Sequence, residues 1–504
     1  MQNFWCRQLG LAFVVFAMIA CSAPVQRHDH LAQPAAIASS DQFWRHIDAA
    51  GGHDWFHLLN GSEEALAWRL AMIDSAHHQI DMETFLWKED EAGQKILAHL
   101  LAAADRGVQV RVLLDDSFTP HQDLVLSRIA HHPRIQLRVY NPYGNRSGGM
   151  LSRMVFNLDD FLRVNHRLHN KTLTVDGWAV IVGGRNLADE YFGLHRDYNF
   201  RDMEVLAMGS GVASVSQHFA DFWNSGWSVP VEATVFIKEG DEALVRLRQK
   251  LAAAVGDVQV ADDTELGERW REAATGALPG KATLIADSPA LEDPSREAPR
   301  QLAGQLVELI NAAEKDVVLV SAYLVPTAEL SDAIAQARAR GVRVRILTNS
   351  LRSNNHLAAH AAYSGYIREL LQEGVELYEV RVDASDRQLY MRSPVAEKEL
   401  GLHAKFMLFD FDRIFIGSSN LDPRSLELNT EVGLLIESEA FNSELRAAIA
   451  IDFEPANSWQ VALDESGHLQ WRGLNETLHQ SPADSEFQRL EDWFIGLLPV
   501  DANM

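Results

Sequence analysis

Apolar residues along this chain cluster in short, regularly patterned runs, and one succession of runs occurs twice. The segment AADRGVQVRVLLDD (103–116) matches ARARGVRVRILTNS (337–350). Each reads as the end of a helix, a glycine cap and a buried strand. Upstream, HHQIDMETFL (77–86) and EKDVVLVSAYL (314–324) read as matching first strands, each after an amphipathic helix. Gly107 and Gly341 are 234 positions apart, and so are His169 and His403. A constant offset over that length predicts two homologous domains, here expected over residues 46–230 and 301–455. Strands alternating with helices predict an α/β fold, with a mixed sheet flanked by helices in each domain. Between the domains, residues 231–300 are charged and alanine-rich and close with SPALEDPSREAPR, which predicts a linker or insertion. Residues 456–504 contain WQVALDESGHLQWRG, two alternating runs around a turn signal. They predict a hairpin and tail packed on the second domain.

Composition narrows the class. A chain of 504 residues, 47% hydrophobic and 23% charged, is globular and exceeds one ordinary core. The formal net charge of −25 argues against a nucleic-acid partner while leaving room for a small basic cleft. Both cysteines, Cys6 and Cys21, lie at the N-terminus, so the body of the chain has no disulfide or cysteine-based zinc site. The start, MQNFWCRQLGLAFVVFAMIACSAP, has one arginine before an apolar run that ends at Ala20-Cys21. It predicts a signal peptide over residues 1–20, lipidation of Cys21 and a tether over 21–45. The expected location is the bacterial cell envelope, facing the periplasm, with Ser22 favouring the outer membrane.

The candidate chemistry sits in RLHNKTLTVDG (167–177) and LGLHAKFMLFD (400–410), which share the spacing His-x-Lys-x-x-x-x-Asp. Residues 168–175 alternate as a strand, which puts His169 and Lys171 on one face. Asp176-Gly177 reads as a two-residue hairpin turn, so Gly184 should lie opposite His169, with Asn186 beside the motif. The second copy offers His403, Lys405 and Asn420 in the same arrangement, with Asp410 at its turn. Both motif aspartates, Asp176 and Asp410, therefore read as turn or scaffold residues.

These residues form the double HKD signature, by which the chain resembles the phospholipase D superfamily. LLDDSFTP, HPRIQLRVYNP, HNKTLTVDG and VGGRNLADEYFG resemble its cardiolipin synthases, those of the C type. The resemblance implies two phospholipase D-like domains related by pseudo-twofold symmetry, each supplying half of one site. It implies displacement at a phosphodiester through a phosphohistidine on His169, with His403 as general acid and base. Lys171, Lys405, Asn186 and Asn420 would neutralise and orient the phosphate oxygens, with no metal or other cofactor. Asp202 in FRDMEV and Glu431 in LNTEVG match the acids that orient the histidines. The implied activity is cardiolipin synthesis from phosphatidylglycerol, with phosphatidylglycerol or phosphatidylethanolamine as phosphatidyl donor. The alternatives are a phospholipase D-type hydrolase releasing phosphatidic acid, and an exported nuclease with the same motif.

Other features carry less. The chain has 20 histidines, yet His356 and His360 lack the glutamate of a zinc-binding HExxH pair. Phe219, Phe222 and Trp223 have the helical spacing of a core stripe. Arg185 is open between a cleft charge and a solvated one. Two loops, 142–167 with Arg146, Arg153 and Arg163, and 383–400 with Tyr390, Met391 and Arg392, lead into the motifs. They are candidates for a cleft rim that meets anionic headgroups.

Overall fold

The computed structural model describes residues 43–44, 54–119, 122–146, 153, 156–157, 160–209, 211–235, 240, 242–289 and 301–496. The expected signal peptide, Cys21 and nearly all of the tether lie outside the described residues. In the first half the strands are β1 Asp54–Leu59, β2 Gln79–Thr84, β3 Gln109–Asp115, β4 Ile135–Tyr140, β5 Thr172–Val175, β6 Ala179–Gly183, β7 Tyr198–Arg201, β8 Glu204–Met208 and β9 Ser228–Pro230. In the second they are β10 Leu278–Ala286, β11 Asp316–Val320, β12 Arg343–Asn349, β13 Glu376–Val380, β14 Glu399–Leu402, β15 Phe406–Phe409, β16 Arg413–Gly417, β17 Val432–Glu437 and β18 Ser458–Leu463. The short β19 Leu469–Arg472 and β20 Thr477–Leu478 complete the set.

The first half pairs in the order β9-β4-β3-β2-β5-β6-β8-β1. The second repeats it as β18-β13-β12-β11-β15-β16-β17-β10, with β19 and β20 added beyond β18. Antiparallel pairing of β1 with β10 joins the halves into one 18-stranded sheet. β2, β3 and β4 run parallel, as do β11, β12 and β13, while the strands carrying the motifs are antiparallel to them. This is the mixed sheet that the repeats predict. The helix Glu91–Asp105 shows how local signals build it: Asp90 accepts the amide of Gly93 at 3.1 Å to start the helix. Gly107 ends it at φ +101, and Gly341 does the same at φ +86.

Two expectations shift. The strands at 77–86 and 314–324 are second in each half, because β1 and β10 precede them. β10 opens with Leu278-Pro279-Gly280, a sequence that reads as loop. Residues 231–300 are more than a linker. Helices Ala243–Val255 and Asp263–Gly276 bury Leu247, Leu251, Leu266 and Trp270 in the first half's core, and β10 follows them. Their charged outer faces dominate the composition and hide the buried stripe. After Pro455 the hairpin β18–β19 extends the second sheet and buries Trp459 and Trp471. Phe219, Phe222 and Trp223 form a fully buried cluster with Leu113 and Tyr140.

A third large core lies between the halves. It unites Phe56, Val180, Val182 and Val205 with Leu402, Phe406, Ile414 and Ile436. A separate parallel ribbon, β7 with β14, takes one strand from each half. The second motif begins where this ribbon ends, and the first beside an isolated bridge between the halves, Leu168 with Thr430.

Candidate active site

Each motif histidine is anchored by the opposite half. His169 donates its amide to the carbonyl of Thr430 at 3.0 Å, and Thr430 returns its amide to Arg167 at 3.0 Å. This brings Nδ1 of His169 to 2.8 and 2.9 Å from the two carboxylate oxygens of Glu431. In the other direction, His403 donates its amide to the carbonyl of Arg201 at 2.9 Å. Its Nδ1 lies 2.9 Å from Oδ2 of Asp202. The two acids that the resemblance implies therefore pair crosswise, 262 and 201 residues from their histidines. The sequence of one half does not tell whose histidine its acid serves.

The lysines curl back onto the same segments. Lys171 donates Nζ to the carbonyl of His169 at 2.7 Å and lies over the ring of Phe85. Lys405 Nζ is 2.9 Å from Nδ1 of His403 and also donates to the His403 carbonyl. Asn186 reaches the hydroxyl of Tyr191 at 2.8 Å, and the Tyr191 ring meets the His403 ring edge-on. Oδ1 of Asn186 and Oδ1 of Asn420 are buried and have no protein partner. Turning the Asn186 amide over lets Tyr191 donate to Oδ1 and leaves Nδ2 as a free donor for a phosphate oxygen.

Eight candidates, His169, Lys171, Asn186, Asp202, His403, Lys405, Asn420 and Glu431, are buried. Burial, then the charges of Lys171 and Lys405, holds the His169 imidazole well below its ordinary value. His403 is lowered in the same way by burial, Lys405 and Lys171. The ammonium charges of both motifs thus bear on both imidazoles, which is the electrostatic signature of one shared cleft. Burial brings Lys171 down to about 7 against the pull of Glu431, and Lys405 down to about 8 against Asp202 and Glu431. Burial raises the Glu431 carboxyl to about 7, opposed by Lys171 and Lys405, and raises Asp202 as well, opposed by Lys405 and Arg185. Two lysines, two carboxyls and two imidazoles held below their ordinary values thus share one buried site.

Asp176 and Asp410 are not part of this constellation, although the motif includes them. The Asp176 carboxylate accepts the amides of His77, His78 and Gln79 at 2.7–2.8 Å and the Trp44 indole at 2.9 Å. Asp410 does the same for the amides of Glu314, Lys315 and Asp316. These amides open β2 and β11, whereas Phe85, whose ring touches His169, lies past the far end of β2. Six strand residues separate the two ends by about 20 Å.

The local geometry of the hairpin also changes. β5 begins at Thr172, so His169 and Lys171 precede the ladder; His169 is held by the other half through Thr430, and Lys171 by the His169 carbonyl. Asp176 and Gly177 form the turn with positive φ, but Val175 pairs with Ala179 and Trp178 is an extra residue. That slips the register by one and puts Arg185, not Gly184, in line with His169. Arg185 is 1% exposed and belongs to the scaffold: it donates to the carbonyls of Leu59, Tyr191 and Asp202. The rim loops are tied inward too. Arg146 and Arg153 bind Asp116, Arg163 binds the carbonyl of Pro142, and Tyr390 and Met391 are buried. His356 caps a helix and His360 pairs with Asp492, so both have structural partners.

Several supporting residues escaped the sequence reading. Ser418 donates to Glu431, and Asp287 accepts the Glu431 amide at 3.1 Å. Phe85 packs against His169, and Asp115 accepts the amide of Leu168 at 2.9 Å. Aligning the copies would have flagged Ser418, which stands 234 positions after Gly184.

The fold and the site together define two phospholipase D-like domains that share one cleft. A family model described as cardiolipin synthase, PLD-like domain, matches residues 70–223 and 306–452, more than half of the chain. The chain belongs to that family and is an enzyme of it. Among its relatives, cardiolipin synthase C of Escherichia coli K12 is 33% identical over 471 residues, covering 88% of this chain and 94% of that protein. Cardiolipin synthase A of Pseudomonas aeruginosa strain LESB58 is 28% identical over 401 residues, covering 79% and 66%. The crystal structure of phosphatidylserine synthase from Haemophilus influenzae Rd KW20 shares the fold, with a TM-score of 0.52 and 16% identity over 81% of this chain and 89% of that one.

Proposed function

We propose that this enzyme makes cardiolipin by moving a phosphatidyl group from phosphatidylglycerol or phosphatidylethanolamine onto a second phosphatidylglycerol. The crosswise pairing of His169 with Glu431 and His403 with Asp202 carries this reading, because it builds two oriented imidazoles into one cleft with Lys171 and Lys405. The carboxylate on Nδ1 of His169 keeps the proton there and leaves Nε2 as a free lone pair. Nε2 attacks phosphorus, the bond to the headgroup oxygen breaks, and His403 gives the departing alcohol its proton. The anionic phosphodiester itself raises the proton affinity of His403 on entry, by offsetting Lys171 and Lys405. In the second step His403 takes the proton from the primary hydroxyl of the acceptor lipid. That oxygen displaces His169 from phosphorus, so the proton balance closes. Lys171, Lys405 and the asparagine amides stabilise the charge on the equatorial oxygens.

The relatives named as cardiolipin synthases support the choice of lipid substrate. An exported enzyme anchored through Cys21 and facing the periplasm would meet these lipids at the membrane surface. Among the described residues no helix is long and apolar enough to cross a membrane.

The test is to incubate the purified enzyme with phosphatidylglycerol, with and without phosphatidylethanolamine, and to resolve the products. Cardiolipin is expected; phosphatidic acid alone would replace the transferase with a hydrolase. His169→Ala and His403→Ala should each abolish turnover, and full activity in either would refute a shared site. Cys21→Ala should release the protein from membranes, and unchanged partitioning would argue against lipidation.

A further inference from the structure

The C-terminal helix Glu486–Gly496 is turned inside out relative to an ordinary surface helix. Its polar side chains make the contacts with the body of the protein. Gln488 donates to the carbonyl of Leu351 at 3.2 Å, Arg489 to that of Ser481 at 3.1 Å, and Asp492 pairs with His360 at 2.9 Å. The apolar side chains face outward: Phe487 is 66% exposed, Leu490 57%, Trp493 62% and Phe494 60%. Their spacing of three, three and one places them in a single stripe about 120° wide at 3.6 residues per turn. A soluble helix buries such a stripe, and four exposed large side chains on one face mark an interaction surface.

The helix rests on the scaffold behind the second motif. It rests on Leu351, two residues past the end of β12. Asn349, the last residue of β12, holds the amide and carbonyl of Leu402, the neighbour of His403, at 2.8 Å each. On the same edge of the first half, past the end of β3, Phe118 is 37% exposed and packs on Phe85, the ring against His169. Glu486, at the start of the helix, falls on this face between Trp493 and Leu490 and pairs with Arg489, and Glu491 flanks it, both acids exposed. They offer no attraction to anionic lipid, so contact must come from apolar burial.

We propose that Phe487, Leu490, Trp493 and Phe494 form a bilayer-docking face that enters the boundary between headgroups and acyl chains and sets the cleft at headgroup level. This rests on the phosphatidyltransferase reading above. Tryptophan and phenylalanine suit that boundary, since their rings leave water while the indole N–H remains wet.

The full chain is bound to phosphatidylcholine vesicles whose acyl chains carry a photoactivatable diazirine, and the labelled peptides are mapped. Label is expected within residues 486–496. The double variant Trp493→Ser, Phe494→Ser should reduce it at least tenfold. Labelling should change less than about twofold when salt is raised from low to high concentration, because no charge pairing is involved. Label confined to other segments, collapse of labelling in salt, or cross-linking of two copies through this helix would each overturn the proposal. The double variant should also lose cardiolipin synthesis on vesicles while keeping it on short-chain, monomeric phosphatidylglycerol. Equal loss on both substrates would refute a docking role. If the parent enzyme makes no cardiolipin from either substrate, the transferase reading fails, while the labelling pattern still decides the docking face.

Discussion

The proton on Nδ1 of His169 is held by a carboxylate 262 residues away, and that separation makes the pair a sensitive test of the shared cleft. Glu431→Gln and Asp202→Asn remove the charge but keep the shape, so the imidazole loses its preferred tautomer. Each should lower kcat by roughly 10²- to 10⁴-fold with little change in melting temperature. Near-normal turnover in either variant would show that the acids do not orient the histidines. Gly184 reports on the same pair sterically. A Cβ at this position would sit 2.5 Å from Oδ1 of Asp202 and 2.9 Å from the His403 carbonyl, which leaves no room for alanine. Ser418, its counterpart, points instead at Glu431. Glu83 gives a pH-dependent outcome. It is 2% exposed, accepts from Asn170 and Thr172, and is pushed by burial to about 7 from an ordinary 4.5. The folded state therefore binds this proton more tightly than the unfolded state. Its stabilising effect is full below about 4.5 and is lost as pH rises through about 7, a swing on the order of 3 kcal/mol. Urea unfolding of Glu83→Gln at pH 4.5 and pH 8 should show that part of the pH dependence gone. An unchanged difference between the two pH values would assign the slope to other groups.

At the scale of elements, the turns behind the motifs separate support from chemistry. Asp176 and Asp410 share an unusual backbone, φ +52 and +51, and each receives the three amides that open the adjacent parallel strand. Removing the carboxylate leaves those donors without a partner. Asp176→Ala should cost about 2–4 kcal/mol because its surroundings are dry, and Asp410→Ala about 1–2 because its side chain is 15% exposed. The folded fraction of each should retain kcat; a selective fall in kcat at unchanged stability would move the aspartates into the reaction. The sequence makes this split visible in the first copy, since Asp176-Gly177 announces a turn whatever the motif is called. What it does not show is the register. Trp178 looks like an ordinary strand residue, yet the pairing of Val175 with Ala179 leaves it outside the ladder, as the pairing of Phe409 with Arg413 leaves Asp412. Arg185 was equally opaque, because a fully buried arginine with carbonyl partners has no local signature.

At the scale of the molecule, duplication was legible from constant offsets, since every copied glycine and histidine kept its distance from the next. The joining of the copies was not. β1 contains His57 and β10 opens with proline and glycine, so neither advertises itself as a strand, yet their pairing makes the two sheets one. The core between the halves makes the same point, since alternation predicts a buried face without saying which partner covers it. Phe56 stands at that junction, on β1, fully buried and 5.6 Å from the ring of Phe441 in the second half. If the halves fold as one unit, Phe56→Ala should remove about 3–5 kcal/mol from the whole molecule. Calorimetry would then show a single transition shifted to lower temperature, with hydrogen exchange in β2 and β11 accelerated together. Two transitions, only one of them displaced, would mean that each half folds alone. The crosswise acids would then meet only after folding, and the cleft would be assembled by docking of two finished domains.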